Sequence, residues 1–211
     1  FSHEETGLQT TFERDLRVAK WCRENGVDWQ EFQTNGIQRG RKNRKGWNRS
    51  WHQVMSADEV SIDLTRLAKK ALPLPEALAG ARSLRLRSWH EQKPKFLVGG
   101  TSQGNRVLES FLESRAEGYQ RHISKPQTSR QHCSRLSPYL AWGNLSVRQI
   151  YRALKSRQAR GGWSRPLSAF ESRLHWHCHF IQKYEMECRM EREDLNRGYI
   201  AFPRRQDEDQ V

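Results

Sequence analysis

The sequence has few hydrophobic residues for a folded protein. They make up 35% of its 211 residues, and the mean hydropathy is −0.96, so the chain can bury only a thin core by itself. Eight Trp and eight Phe nevertheless argue against disorder, because disordered chains lack aromatic residues. We expect a folded protein that is a piece of a longer one.

Long apolar runs are also missing. No stretch reaches the roughly 18 apolar residues that suggest a membrane-spanning helix, and no basic helix carries the strongly apolar face that binds membrane surfaces. The chain starts with FSHEETG and shows no charged segment followed by an apolar one, as a secretory leader would. We therefore expect a cytoplasmic protein with no membrane partner.

Several chemical motifs are absent. No two of the four cysteines form a CxxC pair, so neither a disulfide framework nor a zinc ribbon is indicated. His175 and His179 are spaced to share a metal ion on one helical face, but no third ligand lies near them. We expect no metal. Walker, GxGxxG and Ser-His-Asp patterns are missing too, which leaves ordinary hydrolase and nucleoside-triphosphate chemistry unsupported.

Acidic residues are in the minority. Lys and Arg number 37 against 24 Asp and Glu, for a formal net charge of +13, which favours nucleic acid as a partner over solvated helix faces with a basic bias. In the basic loop, residues 35–51, six cationic side chains surround Trp47 and Trp51. These residues could hold phosphates while a ring stacks on a base. Alternatively, the two tryptophans dock the loop onto its domain.

Residue periodicity predicts the secondary structure. A helix at 10–25 would begin with a capping box of Thr10 and Glu13 and stop at Gly26, and a short strand would follow at 27–32, with its partner strands outside the chain. Further helices are predicted within LTRLAKKAL, within NRVLESFLESRAEGY, and at about 137–143, 146–159 and 166–193.

A cluster of serines and one arginine precedes the predicted helix at residue 137. Ser137 is the predicted N-cap and Pro138 a first-turn residue. Backbone N–H groups at such a start, with serine hydroxyls and Arg135 nearby, suit a phosphate or a pyrophosphate. Ordinary helix capping is the alternative interpretation.

The segment SRLSPYLAWGNLSVRQIY, residues 134–151, resembles the flavin-binding segment of the DNA photolyase and cryptochrome family. Other motifs agree in order: HEETG and TFERDLRVAKWC near the start, LESFLESR before this segment, and FESRLHWHCHFIQKYE after it. The resemblance runs from residue 3 to about residue 187. It is nearest to a bacterial subgroup that carries LHWHCHFIQK.

This resemblance implies a mainly α fold, in which part of an all-helical FAD-binding domain of photolyase type is preceded by the tail of an α/β Rossmann-like domain. Residues 1–56 would be the C-terminal part of the α/β domain and residues 57–100 an interdomain linker. Residues 101–211 would form the N-terminal part of the helical FAD-binding domain.

The resemblance also implies binding residues, but no catalytic residue. FAD would contact Tyr119, Cys133, Ser134, Arg135, Leu136, Ser137 and Phe170. DNA would contact Arg173, Trp176 and His177, with Trp176 stacking on a flipped base. Cys133 stands where the family usually has Thr, and Phe170 where many members have Trp. His177 replaces an Arg of the family, and Arg173 replaces a Glu.

The implied function of the full-length protein is light-dependent DNA repair, as a deoxyribodipyrimidine photolyase-type lyase with FAD as cofactor. Its partner would be damaged or single-stranded DNA. Because the family's C-terminal, flavin-enclosing half has no counterpart here, we expect this chain alone to bind FAD weakly or not at all and to repair negligibly. Two alternatives stay open: a cryptochrome-like blue-light sensor, and a non-enzymatic basic nucleic-acid-binding protein. The lesion type and the antenna pigment are left open too.

Overall fold

The computed structural model describes residues 1–59, 62–70, 73, 75–76 and 96–202, and this part of the chain is mostly helical. That confirms the mainly α prediction. Its helices do not combine the length and the apolarity that a membrane span requires, as far as the described residues go.

The chain divides into two compact units. The first unit comprises Phe1–Ser56 with Ser168–Val211, and the second comprises Ala57–Leu167. The domain limits expected from the sequence stay a prediction, and residues 77–95 of the expected linker lie outside the described residues.

The first unit contains a small βαβ element. Its secondary structure is β1 (Ser2–His3), α1 (Gln9–Glu24), β2 (Glu31–Phe32) and α2 (Trp47–Ser56), followed by most of the long helix Ser164–Met186 and by two 3₁₀ turns, Cys188–Glu191 and Arg197–Tyr199. β1 and β2 pair in parallel, with Ser2 opposite Glu31, and α1 connects them. The prediction that the partner strands lie outside the chain was therefore wrong for β1. A strand of two residues is too short to produce an alternating pattern.

Helix α1 ends as expected but begins differently. Its N-cap is Leu8, which has no side chain that could accept a hydrogen bond, so the predicted capping box of Thr10 and Glu13 is wrong. Instead the backbone N–H of Gln9 donates to Oε2 of Glu191 at 2.9 Å, which places a carboxylate at the helix start. Gly26 follows the C-cap with a φ of +65°, the left-handed conformation that commonly ends helices.

Aromatic side chains form the core of the first unit. Trp47 and Trp51, one turn apart on α2, have no exposed surface. Nε1 of Trp47 donates to the carbonyl oxygen of Gly36 at 2.9 Å. Both rings are therefore unavailable for stacking on a base, and the interpretation that they dock the basic loop onto its domain is confirmed.

The second unit is helical in its described part. It contains α3 (Leu64–Lys69), α4 (Thr101–Glu113), a 3₁₀ turn (Arg115–Gly118), α5 (Tyr119–His122), α6 (Pro126–His132), α7 (Ser137–Ala141) and α8 (Val147–Ala159). Its core contains Leu108, Phe111 and Leu112 of α4 and Ile150 and Leu154 of α8. A true capping box starts α8, because Ser146 and Gln149 exchange side-chain hydrogen bonds with each other's backbone.

The last long helix, α9 (Ser164–Met186), begins in the second unit and continues in the first. It starts two residues before the predicted 166–193 helix, and it ends at Met186. The predicted helix at 137–143 likewise ends earlier, at Ala141. The predicted helices at 10–25 and 146–159 are confirmed to within one residue at each end. α3 lies within LTRLAKKAL as predicted, whereas α4 begins at Thr101, four residues before NRVLESFLESRAEGY, and ends at Glu113.

A glycine against the tryptophan core provides a test of this packing. A Cβ at residue 36 would lie 2.2 Å from Cδ1 of Trp51, so Gly36→Ala should lower the free energy of unfolding by about 1–3 kcal/mol through overpacking. Gly99→Ala is the matched control, because nothing lies within 4 Å of its Cβ position. Urea unfolding followed by tryptophan fluorescence measures both variants. Equal midpoints would contradict the described packing.

Candidate functional site

The serine- and arginine-rich segment, residues 133–137, connects α6 to α7 in the second unit. Arg135 adopts a left-handed φ of +58° and is exposed, whereas Leu136 is only 2% exposed. Leu136 is the N-cap and α7 starts at Ser137, so the prediction of Ser137 as N-cap was wrong by one residue. Because α7 has only five residues, its dipole is small. Any anion binding here must depend on side chains.

Arg115 holds this segment in place. Its guanidinium donates through Nη1 to the carbonyl oxygen of Cys133, and through Nη2 to those of Val107 (2.8 Å) and Ser134 (3.4 Å). Partial burial lowers the pKa of Arg115, but an arginine stays charged in proteins. The side chain therefore ties α4 to the segment by charge-assisted hydrogen bonds. In the sequence, an arginine that binds distant carbonyl groups cannot be told from a solvated arginine, so we did not predict this role.

The structure brings Tyr119 and this segment together indirectly. Tyr119 starts α5, is 4% exposed, and its ring meets the ring of Phe111 edge-on at 5.4 Å. A Cβ on the preceding Gly118 would lie 2.2 Å from Nδ1 of His132. The residues next to Tyr119 and Cys133 therefore pack directly on each other. Phe170 is buried, at 3% exposure, and belongs to the first unit.

A cavity of about 390 Å³ borders α7. It is lined by Leu97, Val98, Gly99, Gly100, Pro138, Tyr139, Trp142 and Asn144. The hydroxyl of Tyr139 donates to the carbonyl oxygen of Val98 at 2.7 Å, which ties α7 to the residues before α4. The volume of the cavity is in the range of small-molecule sites, but the residues predicted to bind FAD do not line this cavity.

Two of the three predicted DNA-binding residues lie together on α9. Trp176 is 45% exposed, and the guanidinium carbon of Arg173 lies 4.7 Å from the centre of a Trp176 ring. This is a cation–π contact, which orients the arginine along the ring. The pair presents a cation and a large aromatic surface at the same place on the helix.

His177 has a different environment. It is half-buried, and burial lowers its pKa below the usual value of histidine, so the imidazole is neutral at pH 7. Its Nδ1 lies 3.8 Å from Sγ of the buried Cys178. A neutral His177 can exchange hydrogen bonds, but it carries no positive charge.

The other two histidines of α9 pack on the tryptophan core. The rings of His175 and His179 lie 5.0 and 6.2 Å from that of Trp47, and Nη1 of Arg44 lies 3.4 Å from Nε2 of His179. Burial, followed by neighbouring cationic groups, lowers the pKa of both histidines. Within the described ranges, no group of three or more His, Cys, Asp or Glu side chains is placed to hold a metal ion.

We overlooked Phe180 in the sequence. It is 58% exposed, and its ring meets that of Trp176 at 5.9 Å and 87°. A signal was present, because Phe180 comes four residues after Trp176 and therefore lies on the same helical face. Three histidines in the same segment obscured that signal.

Comparison with known proteins identifies the architecture. No family model and no curated protein matches the sequence. Among solved structures, a bacterial class III photolyase from Agrobacterium tumefaciens superposes with a TM-score of 0.64 and 19% sequence identity, covering 99% of this chain and 45% of that one. The chain has a photolyase fold. This confirms the predicted fold class, and the chain spans less than half of that photolyase.

The clamp made by Arg115 can be tested by mutation. Arg115→Met removes the donors to the carbonyl groups of Val107 and Cys133, so we expect it to lower the free energy of unfolding by about 1.5–3 kcal/mol, as for hydrogen bonds from a charged group. The control is Arg106→Met, an exposed arginine on α4, for which about 0.5 kcal/mol or less is expected. Urea unfolding provides the comparison. Equal losses in the two variants would show that Arg115 does not hold the segment.

Proposed function

We propose that this chain is part of a flavin-binding protein that repairs DNA in a light-dependent reaction, as a deoxyribodipyrimidine photolyase-type lyase. The observation that carries the proposal is the photolyase fold along 99% of the chain. Fold alone does not specify activity, so the proposal depends on what two groups of residues can bind: the segment held by Arg115, and the outer face of α9.

The segment held by Arg115 fits part of FAD. Ser134, Arg135 and Ser137 combine two hydroxyls with one guanidinium, and Arg135 and Ser137 are exposed. We propose that these three side chains bind the diphosphate, since charged and hydroxyl donors suit phosphate oxygens. When bound, the reduced flavin excited by blue light would supply the electron that splits a pyrimidine dimer. The chain's own residues would position the cofactor, and Arg135 would offset part of the negative charge of its diphosphate.

The remaining predicted FAD contacts offer little surface. Tyr119, Leu136 and Phe170 are each less than 5% exposed, and the carbonyl oxygen of Cys133 already accepts from Arg115. We therefore propose that this chain by itself binds FAD weakly and repairs DNA negligibly. Three side chains on one short segment contribute few of the contacts that a buried cofactor normally has.

DNA is the proposed partner. The exposed pair of Arg173 and Trp176 combines a phosphate-binding cation with a base-stacking ring, and the net charge of +13 attracts the polyanion. The four cysteines are free thiols, which supports the proposed cytoplasmic location.

A cryptochrome-like light sensor is the second candidate, and one observation favours it. By the sequence resemblance, neutral His177 takes the place of an arginine of the photolyase family, and cationic Arg173 stands where many members present a glutamate to the lesion. A sensor needs the flavin but not these lesion contacts. Repair of dimer-containing DNA under blue light by the full-length protein would identify a photolyase. Flavin binding without repair would identify a sensor.

The FAD proposal makes a specific prediction for this chain. FAD should bind weakly but saturably, and Arg135→Glu should weaken binding more than tenfold, because it replaces a charge-assisted contact with repulsion. Arg130→Glu is the control, since it makes the same change at an exposed residue of neighbouring α6. Equilibrium dialysis with FAD measures all three proteins. Absence of saturable binding at millimolar FAD, or equal affinities for the two variants, would contradict the proposal.

A further inference from the structure

The outer face of α9 carries a regular stripe of cationic and aromatic residues. Its members are Arg173, Trp176, Phe180 and Lys183. Their spacing of three, four and three residues places them along one side of the helix. The opposite side is buried and contains Leu174, Cys178 and Gln182. We call the four exposed or half-buried residues the α9 stripe.

The two central residues expose aromatic surface that the protein core does not use. Trp176 and Phe180 are 45% and 58% exposed and contact each other, with their rings at 87°. Neighbouring bases in a continuous duplex are parallel, so two perpendicular rings cannot both stack on such a pair. They suit a strand whose bases are unstacked, as in protein-bound single strands.

Positive charge lies at both ends of the aromatic pair. Arg173 lies over Trp176, and Lys183 comes three residues after Phe180 on the same face. A nucleic acid strand needs cations beside its phosphates and rings beside its bases, and the α9 stripe supplies them in that order. An apolar protein segment would leave both cations without a counter-charge, so nucleic acid is the better match.

We propose that Trp176 and Phe180 form a two-ring platform that binds two consecutive unpaired bases of single-stranded DNA, with Arg173 and Lys183 at the flanking phosphates. This inference rests on the proposed function. It goes further by naming Phe180 and Lys183 as DNA-contacting residues and by specifying an unpaired strand.

The test is fluorescence anisotropy of a labelled oligothymidylate of about 12 nucleotides, without FAD and in the dark. Phe180→Ala should raise the Kd about tenfold, which is within the usual effect of losing one base-stacking ring. Phe180→Tyr should bind as the parent does, because it keeps an aromatic face, whereas Phe180→Leu should lose as much as alanine does. Phe32→Ala is the matched control, since Phe32 is 52% exposed in the same unit but lies outside the stripe.

Lys183→Gln tests the phosphate contact separately. It should reduce the slope of log K against log salt by about 0.7, the value for one phosphate contact on a single strand. An unchanged slope would show that Lys183 does not contact a phosphate, and Lys183 would then not belong to the platform.

Three results would overturn the platform. In the first, Phe180→Ala binds like Phe32→Ala. In the second, Phe180→Leu keeps full affinity, which would indicate a general apolar docking surface. In the third, Trp176→Ala weakens binding but Phe180→Ala does not; the DNA contact of the proposed function would then stand without Phe180. Failure of the flavin assignment would appear independently, in the FAD titration of the Arg135 variant.

Discussion

The fully buried amide of Gln182 determines which face of α9 meets solvent. Its Oε1 accepts from the backbone N–H of Gln38 at 2.8 Å, and its Nε2 donates to the carbonyl oxygen of Gln38 at 3.0 Å. A buried amide that lost these partners would cost several kilocalories per mole. A rotation of α9 by one residue would break both bonds. The amide therefore keeps Trp176 and Phe180 on the outside.

A thin core makes such polar anchors necessary. With only 35% hydrophobic residues, the chain orients its elements partly by side chains that bond to distant backbone groups. Gln182 does this in the first unit and Arg115 in the second. Each anchor holds a segment whose exposed residues we connect with function: the α9 stripe in one case, and the turn at Arg135 in the other.

Structural features that depend on the local residue pattern were predictable from the sequence. Features that depend on contacts between distant residues were not. The helix α1 and its end at Gly26 follow from periodicity and from the left-handed preference of glycine. Trp47 and Trp51 are four residues apart, a helical signal that the cationic residues before and between them obscured. Gln182 had no visible role, because its partner lies 144 residues away. The photolyase-type fold was predictable because a resemblance in ordered motifs does not depend on such contacts.

Oxidative footprinting of the protein with and without single-stranded DNA tests the central claim most directly, namely that the outer face of α9 is the nucleic-acid surface. Trp176 should become strongly protected when DNA binds, together with Phe180. Trp21 and Trp142, which are 56% and 84% exposed elsewhere in the chain, should be oxidised as before. If Trp176 is oxidised equally in both states while DNA is bound, the nucleic-acid surface lies elsewhere and the account is wrong.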